Sequence, residues 1–541
     1  MKKSSTLFKI ASIVFLIAMI STIVSCKKLV NLTEGTKLII DYNLIKTSFT
    51  IKFYDAATGI LIGEGEDNRF VDVTIFGQNA DNVLDITGTQ PITFHSAEGF
   101  LALAINPDVT PSLSNPAKFT IVTHLDGYLP NSKAITVYKE GNYIYDIYLV
   151  DINNPPNGVS RISNHSGHSN NEGVVEEDII VTTPNGMATV TIYAGTILKE
   201  GNGNPCTGTI TVNLAHFSNL EYESLLAFPG GLETNVIMLD GSEDDGLFFS
   251  AGFISLDVFD ENWSAADSAY IHAVNMQMFV PEETYNSSTL GGVADGDILP
   301  LWSYNLNEGT WNFESNDTIN ATDKGLFEVI SNTWHFSYWN WDWFWGEYCP
   351  EGLEINFHSE DYTCDCYWLK ATITNPYNGA YMMSSWFYAC NNEPVRLLYV
   401  PAFFPVDITF TGYCNGLYTE LDYYYIENLC AADILDITLY SETIGSNVLF
   451  EISGYCPNNP YFEVRPTLGV WFRPANNWCW QYAFMYNGYA DICNVILGEP
   501  YVFGVVYDGH WIEYTVTPDY NAYIYQELEL TDDICTNVLG L

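Results

Sequence analysis

Positive charge is what this chain has least of. Across 541 residues, 19 Lys and Arg stand against 66 Asp and Glu, for a net charge of −47. Such a surface repels phosphate backbones and excludes nucleic acid as a partner. Charged residues are nevertheless only 16% of the chain, while 47% is hydrophobic and 15% aromatic. The acidity is therefore not that of a disordered segment, because there is ample apolar material for packed cores. Helical 3.6-residue periodicity is missing from every long stretch. Enzyme signatures are missing as well: there is no G-x-S-x-G elbow, no H-E-x-x-H, no phosphate-binding glycine loop and no dinucleotide fingerprint. The chain reads as non-enzymatic, with a hydrolase built on scattered carboxylates as the remaining enzymatic alternative. Cysteine is nearly absent from the first 348 residues, where only Cys26 and Cys206 occur, yet ten lie between Cys349 and Cys535.

What is present begins with the amino terminus. Lys2, Lys3 and Lys9 precede an uncharged run that ends Ile23-Val24-Ser25-Cys26. A basic stretch, an apolar stretch and a small residue make a secretory signal, too short and too early for an ordinary membrane span. The cysteine after the small residue resembles the lipobox of bacterial lipoproteins, and the composition resembles lipoproteins of the Bacteroidota type. That resemblance implies removal of a signal peptide at 1–25, acylation of Cys26 and attachment to the bacterial outer membrane. Residues 26–43 form a polar tether with Lys27 and Lys28 behind the cysteine instead of an acidic block, which leaves periplasmic and outward display both open. In an exported protein the distal cysteines Cys349, Cys364, Cys366, Cys390, Cys414, Cys430, Cys456, Cys479, Cys493 and Cys535 are expected as disulfides of open pairing. Cys364-Asp365-Cys366 lacks the second ligand pair that a zinc site needs. An anchor at Cys26 would set the cysteine-free half nearest the membrane and the cysteine-rich half farthest out.

The remainder reads as all-β, a tandem of β-sandwich domains. From 44 to 152 the period is two: Phe49, Ile51 and Phe53 alternate with polar residues, as do Val71, Val73 and Ile75. Turn signals at 55–59, 78–82 and 126–127 divide these runs, the spacing of half-buried strands in a sandwich. The order is similar to the carboxypeptidase-regulatory-like, Ig-like modules of secreted bacterial proteins. Residues 153–176, opening Asn153-Asn154-Pro155-Pro156, read as a flexible linker that holds His165 and His168.

Residues 177–345 form a central domain. Thr189–Leu198, Thr207–Val212, Phe228-Pro229-Gly230-Gly231, Ala251–Ile254, Tyr285-Asn286, Asp295–Tyr304 and Gly309-Thr310-Trp311 follow in succession. This series resembles an ectodomain module of cartilage intermediate layer protein and of bacterial envelope proteins, which implies a β-sandwich without a catalytic centre. Ser315 stands where that pattern has glycine, so the closing turn is expected to differ. The stretches 346–443 and 444–541 read as two copies of one cysteine-rich sandwich. Glu347-Tyr-Cys349-Pro350 matches Gly454-Tyr-Cys456-Pro457, and Val406–Phe410 matches Tyr501–Val505.

Two groups of residues are candidate sites. Trp339, Trp341, Trp343 and Trp345 alternate with other residues, so a strand there would carry all four indoles on one face. A flat row of indoles suits glycan stacking if open, and a buried joint between domains if covered. Asp240 and Asp244 lie in an acidic turn that departs from the EF-hand pattern at Asp245 and Ala251. With Asp295 and Asp297 they are weak calcium candidates; no other cofactor is expected, and no catalytic residue stands out. The function expected is a non-enzymatic cell-envelope lipoprotein for adhesion, scaffolding or recognition of a glycan or cell-surface protein. The alternative is a carbohydrate-binding lipoprotein of a glycan-uptake system.

Overall fold

The computed structural model describes residues 38–41, 45–65, 69–323, 325–349, 351–359, 366–397, 400–412, 420–432, 434–439, 445–477, 480–507, 510–532 and 535–536. Cys26, Lys27, Lys28, the signal stretch, Cys364, Cys414 and Cys479 lie outside the described residues. The chain is all-β, and its strands sort into four successive groups of sheets.

The period-two runs form strands because each lays one apolar row on a core. Val406–Thr411 alternates buried and half-buried along its length, as does Val274–Pro281. In the N-terminal group the strands are Thr47–Asp55, Asp72–Phe76, Phe94–His95, Phe100–Ile105, Ala117–His124, Asn131–Val137 and Gly141–Leu149, with Val83–Asp85 added at an edge. Taken as positions one to seven, they form one sheet in the order four-one-seven and a second in the order three-two-five-six. The group from Leu353–Ser359 to Leu435–Leu439 has the same order, and so does the group from Ser446–Cys456 to Tyr523–Glu529 once its extra strand Asn459–Arg465, paired to the first, is set aside. Three sandwiches thus share one topology, where the sequence suggests two copies. In each, the first strand runs parallel to the last and pairs with it directly. The match of Val406–Phe410 to Tyr501–Val505 holds, since both lie in the fifth strand. The match of Cys349 to Cys456 fails: one precedes its first strand and the other ends it.

The central group packs a seven-stranded sheet on a five-stranded one. Residues 159–169, expected in a flexible linker, instead form strand Val159–Ser169, paired along Gly208–Phe217. Its polar composition reflects an edge position, where one flank of the strand faces water, and His168 lies 3.3 Å from Glu176. Ser315 lies within strand Thr310–Thr318 at a register shift opposite Leu301 and Trp302, so no turn occurs there. Gly309 turns the preceding hairpin at φ 68°, and a Cβ on it would meet Ala134 at 3.0 Å. Close approach of the N-terminal sandwich thus requires glycine at this turn.

The four groups are not strung out in a line. Residues 38–41, expected in the tether, form a strand that pairs in parallel with 462–465 of the C-terminal sandwich. The N-terminal sandwich touches the other three groups. Its Thr120 and Lys133 donate to the carbonyls of Glu308 and Gly230 in the central domain at 2.8 Å each. Its Phe100 ring lies 4.5 Å from Trp471 and 5.2 Å from Trp511 of the C-terminal sandwich. The expectation that the cysteine-rich half lies farthest from the amino terminus is therefore corrected. Apolar and aromatic outer faces in the first sandwich found cover in the last.

Candidate functional site

The tryptophan row occupies strand Tyr338–Trp345, which lies between Glu243–Phe259 and Ile298–Asn305 in the seven-stranded sheet. Trp339, Trp341 and Trp343 are 1%, 0% and 3% exposed. Trp341 Nε1 donates across the sandwich to Ser331 Oγ at 2.8 Å, and Trp343 Nε1 donates to the Ile298 carbonyl at 2.9 Å. Trp339 stacks near His335, ring centres 4.6 Å apart, and His335 Nε2 lies 3.4 Å from Glu314. Only Trp345 leaves the domain, donating to Ala402 O of the third group at 3.1 Å. The row is therefore a core with one end in a joint, not an open platform for a sugar. Buried indoles need a partner for N–H, and three of the four find one.

The polar residues of the same strand are buried too. Asn340 and Asp342 are fully covered, with Trp302 Nε1 donating to the Asp342 carbonyl at 3.0 Å. Asp342 Oδ1 accepts from the Ala251 N–H at 2.9 Å, and burial pushes its carboxyl well above the usual range. That face of the sheet is an aromatic layer of Phe217, Phe228, Phe248, Phe253, Trp302 and Trp311. At its rim Tyr338 donates to Pro130 O, and Tyr304 meets Ser132, each at 2.8 Å. Sequence alternation pointed to one buried face. The second is buried within the same domain, where Glu243–Phe259 pairs with Tyr338–Trp345 and Phe228 packs on the aromatic layer, and the N-terminal sandwich meets it at the rim.

The densest charge constellation was not singled out in the sequence. Lys52 on the first strand of the N-terminal sandwich and Asp146 on its seventh are register partners. Lys52 Nζ lies 2.9 Å from Asp146 Oδ1, and Lys370 of the third group donates to Oδ2 at 3.0 Å. Trp386 Nε1 also donates to Oδ2 at 3.0 Å, and the Lys52 ammonium sits 4.3 Å from the centre of that indole. Lys52 is only 3% exposed. Burial alone would raise the Asp146 carboxyl, but the two ammoniums outweigh it and hold it far below the carboxylate range. Burial lowers Lys52, while Lys370, despite its own burial, is raised by Asp146. A buried carboxylate between two ammoniums is a clamp whose members depend on one another. No warning lay in the sequence, because Lys52 shares the polar phase of its strand with Ser48 and Thr50, where a lysine ordinarily faces water.

A cavity of about 330 Å³ opens on the central domain, lined by Asn157, Ser160, Asn185, His216, Asn219 and Glu221 among others. Burial pushes His216 down to about 4, so it is neutral at physiological pH. Its Nδ1 lies 3.2 Å from Asn185 Nδ2. Ser160 Oγ accepts from the Asn185 N–H and Ser218 Oγ from the Leu220 N–H, each at 3.2 Å. The serines serve the backbone and the histidine serves an amide, so the cavity pairs no nucleophile with a base.

The acidic candidates are spent on turns. Asp240 Oδ1 accepts from Ser242 N and Oγ at 3.0 and 2.6 Å. Asp295 accepts from Ala321 N at 2.7 Å; Asp297 accepts from Asn286 Nδ2 at 2.7 Å and Ala294 N at 2.9 Å. Asp244 is exposed on its strand. Among the described residues no group of three or more His, Cys, Asp or Glu is placed to hold a metal ion. The cysteines form Cys349–Cys430, Cys366–Cys390 and Cys456–Cys535, Cys493 is also bridged, and Cys206 is a buried thiol.

No family model matches the chain, and no curated protein matches it either. Among solved structures it is similar to the Bacillus anthracis TIE protein, with 10% identity over 85% of this chain and 68% of that one, at a TM-score of 0.15. A streptococcal ancillary pilin aligns at 9% identity over 44% of this chain and 94% of its own, TM-score 0.15. The T6 backbone pilin of serotype M6 Streptococcus pyogenes aligns at 10% identity over 87% and 80%, TM-score 0.12. Likeness at this level says nothing of what the chain binds.

Proposed function

We propose that this chain is a non-enzymatic, load-bearing scaffold or adhesion protein of the bacterial cell envelope, held to the outer membrane through acylated Cys26. The observation that carries the reading is the parallel pairing of first and last strands in three sandwiches. In a parallel pair the chain enters at one end and leaves at the other. Pulling on the two termini shears the pair, so its hydrogen bonds are loaded together and not one by one. Cys349–Cys430 bridges the entries to the first and last strands of the third sandwich, and Cys456–Cys535 bridges the exits of the same pair in the fourth. Force that reaches either bridge passes through it and leaves most of the enclosed sandwich unstretched. Structural disulfides also agree with an oxidising location.

Stretching the chain between its ends by single-molecule force spectroscopy tests this. The expected trace has early undocking events, then one high-force step of a single sandwich's length from the cysteine-free N-terminal unit. Reductant should add steps for the bridged sandwiches. A trace with only low-force unzipping, or the same steps with and without reductant, would sink the proposal.

A further inference from the structure

The four-one-seven sheet of the C-terminal sandwich turns a face outward that no other group covers among the described residues. Across it lie Tyr523, Tyr525, Glu527 and Glu529 of the last strand, in register with Leu449, Glu451, Ser453 and Tyr455 of the first. Asp491 and Tyr489 stand beside Leu449 and Glu451, and Glu463 stands beside Tyr455. Tyr461, Tyr523 and Tyr525 are 59%, 43% and 41% exposed. Tyr525 donates to Glu527 and Tyr455 to Glu529, each at 3.0 Å, and Tyr523 donates to Glu451. The rings are thus held in place before anything binds, which reduces the ordering cost of recognition. Arg465 is the one cation among these strand residues, and it is occupied by Glu451, Glu463 and Tyr489. Glu527, Glu529 and Asp491 add negative charge that this arginine does not offset.

We propose that this face docks an extended, Lys/Arg-bearing segment of a partner protein. Ammonium and guanidinium groups gain from ring faces and from carboxylates together, and the face offers both in alternation. The spacing agrees: alternate residues of a strand lie about 7 Å apart, so an extended partner with a cation at every second position matches Tyr523, Tyr525, Glu527 and Glu529 step for step. A neutral glycan would use the rings but leave the surplus charge unanswered. Recognition here is independent of how the chain carries load.

The test is fluorescence anisotropy of the full chain with a labelled alternating Lys-Thr decapeptide. A peptide of the same composition with its lysines in one block, and a neutral glucan oligosaccharide, serve as comparisons. The alternating peptide should bind about tenfold more tightly than the block peptide and weaken steeply with salt. Glu527→Gln/Glu529→Gln and Tyr525→Ala should each weaken it about tenfold. Asp240→Asn/Asp244→Asn, which removes equal charge from the central domain, should leave it unchanged. Tyr525→Phe, which keeps the ring, should retain most binding and guards against a folding defect in the alanine variant. Equal binding of the two peptides, or equal loss from the Asp240/Asp244 pair, would reduce the effect to bulk charge and overturn the proposal. So would glucan binding that is lost in Tyr525→Ala while the peptide shows none.

Discussion

The N-terminal and C-terminal sandwiches share seven strands in one order, and they treat the same sheet in opposite ways. In the first, the outer face of the four-one-seven sheet is covered by neighbours, and strand Thr47–Asp55 is buried along nearly its whole length. Thr47, Ser48, Thr50 and Lys52 are all buried there. In the last, the equivalent face is open and carries tyrosines and carboxylates. The first has no disulfide among its described residues and is braced from outside; the last carries Cys456–Cys535 across its terminal strands. One frame can therefore be stabilised by packed neighbours or by a cross-link. The choice decides which polar residues must be paired: inside a joint a lysine needs a carboxylate, whereas on an open face glutamates remain hydrated.

Breaking the clamp should have the largest effect. Asp146→Ala leaves two buried ammoniums without their carboxylate, and should cost about 3–5 kcal/mol in chemical denaturation. A loss below about 1 kcal/mol would mean that the lysines reach water. Next, Cys456→Ser/Cys535→Ser should remove about 2–4 kcal/mol from the C-terminal sandwich. Hydrogen exchange should place that loss in the last sandwich and leave the first unchanged; a uniform loss would contradict separate modes of bracing.

Acid should act on the first sandwich through Asp146. Its folded pKa lies below the unfolded value of about 3.9, so its contribution is complete above that pH and is lost as pH falls below about 4. Lys370, raised in the fold, loses its contribution only above about pH 10. Small-angle scattering should thus show expansion beginning below pH 4 and none between 5 and 9; expansion starting near pH 6 would assign the joint to other groups. The smallest effect is expected on the open face, where Tyr525→Ala should shift stability by no more than about 0.5 kcal/mol. A larger shift in thermal melting would mean that this face is part of the core.

Much of this was legible in the sequence. Phe49, Ile51 and Phe53 announced a strand and its inward row, and the match of Val406–Phe410 to Tyr501–Val505 announced a repeated unit. Distal cysteines announced bridges, though not their pairing. The third copy of the fold was hidden because the N-terminal sandwich has no cysteine motif to align, and the strand at 159–169 was hidden by linker-like composition. For the tryptophans, alternation correctly grouped four indoles on one face, and burial then depended on what lay opposite.

The sequence by itself determined the class of fold, because period-two alternation is written into neighbouring residues and needs no partner to be read. It also determined the acidic balance of the chain, because net charge is a sum over residues. Only the tertiary structure decided which outer faces meet. Lys52, Asp146 and Lys370 are far apart in sequence, and no local pattern links them. Lys52 meets Asp146 because the first and last strands of one sandwich pair, and Lys370 joins them where the third sandwich packs on it. Trp339, Trp341 and Trp343 are buried inside the central domain, while Tyr523 and Tyr525 stay in water.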